Sequence, residues 1–411
     1  MNATAPALVK ITSNIVSQIQ SRLTKHYKDN LYRSRLKFIK SQAIRQKNKL
    51  NFSSNDYLGF ANNEYIIKKL QALLPIIGTG SGASNMISGY HTIHQDLELL
   101  VAGLVKCEQA ILFPSGYMAN LAIADVLLNI DNQNTIAIHD HNNHASLLDG
   151  SRLANCKYIR YKHNNLNHLQ LLLQKYNNYQ NNIIFTESLF SMDGDFAPLS
   201  EMSEISKINQ LGLNNSVLVI DDSHAFGLYN SGRGLSTNID INSTNTPKLV
   251  MGTFGKAIGS AGAFVAGPKI FIESLIQFAR PYIYTTSLSP IAAAASLYAI
   301  QLNLQDSSYR EQLFTNIQYF CEQIKSSNLN LNLKLDLSLI NDQSPIQPII
   351  LGRNTDCIKI TEYLAQNNII VTAIRAPTVP ANKARIRLTL SAKHTQEDLD
   401  YLIKILNNYE P

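Results

Sequence analysis

The sequence predicts an α/β protein with a mainly parallel central sheet, followed by a smaller C-terminal α+β domain. Three observations predict it. Between about residues 90 and 290, short apolar runs alternate with helical stretches. Each run is bounded by Gly, Pro, Asn or Asp, as buried strands are. After Pro290 the texture changes to one long apolar helix, then to a mixture of helices and short strands.

The elements follow in order. Residues 1–50 read as an amphipathic helical lead-in with basic residues, ending in QKNKL. NFSSNDYLGF (51–60) is rich in turn formers and opens the globular part. The runs AILF (110–113), TIAI (135–138), NIIFT (182–186), VLVID (217–221), KLVMG (248–252) and AGAFVAG (261–267) read as the strands of a large domain over 51–290. ANLAIADVLL (119–128) and APLSEMSEISKINQ (197–210) read as helices between them. A small domain over 291–411 opens with the buried helix IAAAASLYAIQLNL (291–304) and carries the strands IQPIIL (346–351) and RIRLTL (385–390).

Composition narrows the function. With 45% hydrophobic and 16% charged residues in 411, the chain is a soluble globular protein rather than a disordered one. The net charge of +6 comes from scattered Lys and Arg, so a nucleic-acid partner, which needs a basic stripe, is not expected. No charged segment followed by an apolar core opens the chain, and no apolar run approaches the ~20 residues of a membrane span. A cytoplasmic protein is expected. Cys107, Cys156, Cys321 and Cys357 lie far apart with no CxxC pair, which favours reduced thiols over disulfides or a metal site.

In open α/β sheets, ligand groups gather at the carboxyl ends of strands. Five runs are followed by polar or reactive side chains: Tyr117 after AILF, His144 after TIAI, Ser191 after NIIFT, Asp221 and His224 at VLVID, and Thr253 and Lys256 after KLVMG. Lys256 stands in MGTFGKAIGSAG. A phosphate-loop reading fails, because Val250 occupies the first Gly position and Ala257 follows the lysine. A lysine that forms a Schiff base with pyridoxal phosphate (PLP) suits the loop, as does an exposed lysine. Asp221 ends an apolar strand, where a PLP enzyme needs a carboxylate against the pyridine nitrogen, and His224 lies three residues on, beside the ring oxygen. A metal-binding or ordinary strand-end carboxylate is the alternative, though no second cluster has metal spacing. PSGYMAN (114–120) leads into a helix whose free N–H groups would suit phosphate, with Gly116 permitting close approach. GTGSGASN (78–85) lacks the last Gly of a dinucleotide loop, where Ala83 stands.

NFSSNDYLGF, SGYHTIHQDLE, FPSGYMAN, NHASLLDG, FSMDGDFAPL, DDSHAFG, GTFGKAIG and TAIRAPTVP occur in this order. Together, over about residues 30–395, they resemble the α-oxoamine synthases, PLP enzymes of fold type I, the aspartate-aminotransferase fold. VTAIRAPTVPANKARIRLTLSA (371–392) resembles most the branch that condenses L-alanine with pimeloyl-CoA or pimeloyl-carrier protein in biotin synthesis. Branches using glycine or serine, or making a fatty-acyl aminoketone signal, are the alternative. Ala376 stands where relatives carry a second Pro, and Asn85 and Met86 stand where they often carry a basic residue.

The resemblance implies roles residue by residue. Lys256 would hold PLP, Asp221 would pair with the ring nitrogen, His224 with the ring oxygen, and His144 would stack on the ring and border the substrate. Gly116, Tyr117, Ser191 and Thr253 would border the cofactor and its phosphate. Thr285 and Thr286 would reach the phosphate of a neighbouring subunit, since family members are homodimers. Arg375 would hold the amino-acid carboxylate, helped by Asn55, with Thr378 lining the site and Arg33 meeting the acyl thioester. No metal is implied.

Overall fold

The computed structural model describes residues 14–410 except 30, 34, 36, 38–43, 47, 209–215, 240–245, 328–338 and 377, with backbone alone for 205–208. The first thirteen residues of the lead-in, Lys47, and Asn209 and Gln210 of the second helical pattern lie outside the described residues. Two compact units form: Asn55–Thr315 with Ser391–Lys393, and Met1–Ser54 with Asn316–Leu390 and His394–Pro411.

The larger unit is built on seven strands: β1 (Gln109–Phe113), β2 (Thr135–Asp140), β3 (Lys157–Tyr161), β4 (Asn181–Glu187), β5 (Ser216–Asp221), β6 (Lys248–Thr253) and β7 (Ala263–Gly267). Their order is β1-β7-β6-β5-β4-β2-β3. All neighbours are parallel except β7, which runs antiparallel to both β1 and β6. The strands other than β7 therefore point one way, and their carboxyl ends share one edge.

Alternation sorts the strand side chains between two buried layers. Ala137, Ile183, Phe185, Val217 and Val219 pack with the helices Gly116–Asn129 and Ala145–Leu153. Ile136, Ile138, Ile184, Leu218 and Ile220 pack on the opposite face with Leu169 and Leu173 of Leu166–Lys175. Burying each such side chain stabilises by about 1.5–3 kcal/mol, so the sheet's register is held from both sides.

Strand β3 has no counterpart among the apolar runs read from sequence. KYIRY lies at the sheet edge with Lys157 and Arg160 exposed, a charged edge that blocks further pairing. The helix Pro290–Gln305 packs against Glu64–Ile77 and Thr92–Leu104. Residues 291–315 accordingly cluster with the larger unit, not with the small domain to which the change of texture assigns them. The helix is apolar around its circumference and buries residues as far along as Asn303, so it belongs to the thicker core.

In the smaller unit, β8 (Ile346–Gly352), β9 (Thr372–Ile374) and β10 (Ala384–Thr389) form an antiparallel sheet with β10 in the centre. The short strands Arg45–Gln46 and Lys49–Asn51 pair, and the latter runs parallel to Ile369–Ile370. Helices Asn354–Gln366 and Gln396–Asn407 complete this α+β unit. The lead-in forms the helix Asn14–Lys28, with Ile15, Ile19, Leu23 and Tyr27 exposed along one stripe.

Candidate active site

The carboxyl ends of β1, β2, β4, β5 and β6 deliver polar side chains to one edge of the sheet. Asp221 closes β5 and is 6% exposed. Its Oδ1 accepts the Ser223 N–H at 3.0 Å, and its Oδ2 accepts the Asn120 amide at 2.9 Å. His224 is equally buried, with Nδ1 2.6 Å from the Tyr57 hydroxyl oxygen, which lies 3.4 Å from Asn55 Oδ1. The neighbouring Asp222 is also buried, but it belongs to the framework. It accepts the Ser188 and Ser236 hydroxyls and the backbone N–H groups of Leu235 and Ser236.

His144 caps the helix Ala145–Leu153, its Nδ1 accepting the Ser146 N–H at 3.3 Å. The His144 backbone N–H donates to Glu187 Oε1 at 2.6 Å, and Ser191 N–H donates to Glu187 Oε2 at 3.3 Å. Glu187 thus ties the loop after β2 to the loop after β4. Burial pushes its carboxyl above the ordinary range, and the Asp221 charge pushes it further, while the Lys256 ammonium pulls the other way. Burial also lowers the His144 pKa; the Asp221 charge opposes this and the Lys256 charge reinforces it. Lys256 therefore acts electrostatically on both loops.

Lys256 lies in the turn between β6 and β7. Thr253 pairs with Ala263, and Phe254 N–H reaches Gly262 O at 2.9 Å, which extends the ladder toward the turn. Gly259 has φ +67°, and a Cβ there would lie 2.3 Å from the Ala61 nitrogen. The lysine turn is thereby braced against the backbone of Phe60 and Ala61.

Gly116 opens the helix Gly116–Asn129, where Ser115 accepts the Met118 N–H. A Cβ on Gly116 would meet Met251 Sδ at 3.5 Å and Thr253 Cβ at 3.9 Å, which is ordinary contact. Packing within the protein does not require glycine there, so its effect is to leave open space at a helix N-terminus, as an anionic group requires. Tyr117 is 45% exposed, and its hydroxyl donates to Asp149 at 2.7 Å.

The structure joins Asp221, His144 and Ser191 through direct hydrogen-bond partners, adds Lys256 through its charge, and sets Gly116 beside Thr253. His224 and Asn55 are joined through Tyr57. Thr285 and Thr286 follow the short helix Arg280–Ile283 at the surface, with Thr286 exposed. Arg33, Arg375 and Thr378 belong to the smaller unit: Arg33 is exposed, Arg375 follows β9, and Thr378 N–H donates to Arg375 O at 2.9 Å. Sequence reasoning passed over Glu187, Tyr57, Asn120 and Ser146. Glu187 stands one residue past the run NIIFT, the same strand-end position as Asp221. Asn120 lies four residues after Gly116, on the same helix face.

A PLP ring fits this donor set. A buried carboxylate, Asp221, accepts hydrogen bonds from amide donors, with no cation in direct hydrogen bond among the described residues. A half-buried lysine acts on the same loops, and a helix begins at the glycine. Residues 47–406 match the family of class I and II aminotransferases. The chain belongs to this family. It is 38% identical to 8-amino-7-oxononanoate synthase of Hahella chejuensis over 94% of each chain. It is 41% identical to the same enzyme of Hydrogenovibrio crunogenus, over 87% of this chain and 86% of that one. Serine palmitoyltransferase of S. paucimobilis, with bound PLP-myriocin, shares the fold: TM-score 0.83 at 24% identity, covering 96% of this chain and 98% of that one. Within the family the chain groups with the α-oxoamine synthases, PLP-dependent enzymes of the acyltransferase type. Among the described residues no helix is long and apolar enough to cross a membrane.

Proposed function

We propose that this chain condenses L-alanine with pimeloyl-CoA, or pimeloyl-carrier protein, to form 8-amino-7-oxononanoate for biotin synthesis, releasing the thiol and carbon dioxide. The observation that carries the reading is its 36–41% identity, over most of its length, to relatives bearing that name. The arrangement of Lys256, Asp221 and His144 supports it. PLP, when bound, supplies an electron sink for negative charge at the alanine α-carbon.

The residues divide the work. Lys256 Nζ holds the cofactor at rest and, once displaced by alanine, takes the α-proton as general base. Asp221 would pair with the ring nitrogen of the bound cofactor and keep it protonated. His224, steadied through Nδ1 by Tyr57, would hold the ring oxygen. His144 would stack on the ring, with Ser191 and Tyr117 bordering the cofactor. Gly116 and Thr253 receive the phosphate, and Thr285 and Thr286 reach that of the second subunit in a homodimer. Arg375 holds the alanine carboxylate, with Asn55 and Thr378 beside it, and Arg33 meets the acyl thioester. A carbon–carbon bond then forms between the α-carbon and the acyl carbon, the carbon–sulfur bond breaks and the thiolate leaves, the carboxylate leaves as carbon dioxide, and the α-carbon takes a proton to give the product. The protein is read as cytosolic, with no nucleic-acid partner.

The test is a steady-state assay of alanine, glycine and serine against pimeloyl-CoA and longer acyl-CoA esters. Alanine with pimeloyl-CoA is expected to be fastest. A preference for glycine or serine, or for a long acyl chain, would move the chain to another branch of the family. Borohydride is expected to fix the cofactor on Lys256, and turnover by Lys256→Ala would sink the reading.

A further inference from the structure

The side chains of Asn120 and Ser146 form a hydrogen-bonded chain from Asp221 to His144. A carboxylate offers only acceptors. Asn120, whose Nδ2 is 2.9 Å from Asp221 Oδ2, must therefore turn its NH2 group that way. The same NH2 group lies 2.9 Å from Ser146 Oγ. Among the described residues the amide oxygen of Asn120, which is buried, meets no partner. The reverse amide orientation would satisfy nothing better, since it sets a carbonyl against a carboxylate. The Ser146 backbone N–H, which can only donate, points at His144 Nδ1 from 3.3 Å, so that nitrogen is an acceptor and carries no proton. The Ser146 hydroxyl, 2.8 Å from the same nitrogen, is then its second donor.

We propose that Asn120 and Ser146 are positioning residues that hold His144 as the neutral Nε2–H tautomer, making its second ring nitrogen a hydrogen-bond donor and not a proton acceptor. The inference rests on the reading that His144 faces the bound ring. A neutral imidazole lies against a positively charged pyridinium without repulsion. Its Nε2–H can recognise an oxygen acceptor on the substrate, and the α-proton is left to Lys256. The orphaned oxygen of Asn120 is what this arrangement gives up, since an unpaired buried acceptor is destabilising. Burial of His144, which disfavours its charged form, acts in the same direction.

The test is 15N NMR of histidine-labelled, PLP-loaded protein, with the His144 resonances identified by their loss in His144→Gln. The expected result is a bare Nδ1 and a protonated Nε2. In Ser146→Ala and in Asn120→Ala the tautomers should mix, and kcat should fall about tenfold, the scale of one hydrogen bond. Ser146→Thr, which keeps the hydroxyl, should restore both readouts. A proton on Nδ1 in the wild-type protein, or an unchanged tautomer in Ser146→Ala, overturns the proposal. His144 resonances that do not move between PLP-free and PLP-loaded protein overturn the placement beside the ring instead, and leave the tautomer assignment standing.

Discussion

Two groups of acids, buried except for the partly exposed Asp195, stand at the same edge of the central sheet and are partnered in different ways. Beyond β2 and β3, Asp140 and Asp195 share one imidazole: His163 Nδ1 is 2.8 Å from Asp140, and Nε2 is 2.8 Å from Asp195. Asn164 adds its backbone N–H to Asp140 and its amide to Asp195. Burial works against a charge on His163, yet the hydrogen bonds to Asp140 and Asp195 and then their charges outweigh it, holding the pKa up at about 10. Beyond β4 and β5, Glu187 and Asp221 are met by amide donors, with the Lys256 ammonium acting on Glu187. The first group has a cation of its own in His163 and pins the loop that carries Ser191. The second meets Asp221 with amide donors, and a cationic ring would complete it.

The comparison can be broken most sharply at Asp221. Asp221→Asn is expected to lower kcat/KM by about 10²–10³, the scale of losing a charged partner to the reacting centre, while melting near the wild-type temperature. A loss of folding with normal specific activity in the surviving protein would place Asp221 with the framework acids instead.

His163→Gln should show the reverse pattern. It leaves Asp140 and Asp195 facing each other without their shared cation, and is expected to cost about 1–3 kcal/mol in stability with less than tenfold change in kcat. Its pH dependence has a definite sign. The folded pKa is raised from 6.5 to about 10, so the stabilisation is complete below pH 6.5 and is lost as pH rises through 10. Melting temperatures measured from pH 6 to 10 should therefore fall more in the wild type than in His163→Gln.

The smallest effect is expected from Glu187→Gln. One of its two backbone N–H bonds passes to the weaker amide oxygen and the other is lost, since an NH2 group cannot accept, costing about 1 kcal/mol. Because the folded carboxyl is pushed above its ordinary 4.5, ionising it opposes folding at higher pH. The variant should thus lose less stability at pH 8 than at pH 5, relative to wild type. An equal loss at both would mean that Glu187 titrates normally.

The reactive ends of the strands were legible because a buried parallel strand is a short apolar run with an abrupt polar stop. VLVID and KLVMG announce Asp221 and the lysine turn in that way. Strand β3 was not legible, since an edge strand needs charge as much as apolar surface, and KYIRY has both. The reversal of β7 was hidden too: AFVAG is as apolar as its parallel neighbours, and direction leaves no mark on composition. Asn120, Ser146 and Tyr57 were missed for another reason. They lie inside motifs that were read for their glycine, histidine or asparagine, and their importance comes from partners 26 to 167 residues away.

That reversed strand bears on the lysine itself. Because β6 and β7 form a hairpin, the turn carrying Lys256 is tied at both ends into one sheet, from Thr253 to Ala263, and wedged at Gly259 against the backbone of Phe60 and Ala61. The backbone is thus held at three points, and the reach of the amine is set by the length of its side chain. In the proposed role, an amine so tethered would stay within reach of its carbonyl at an effective concentration no free amine in solution could match. It would return to the cofactor after each product left, as a leash returns what it releases.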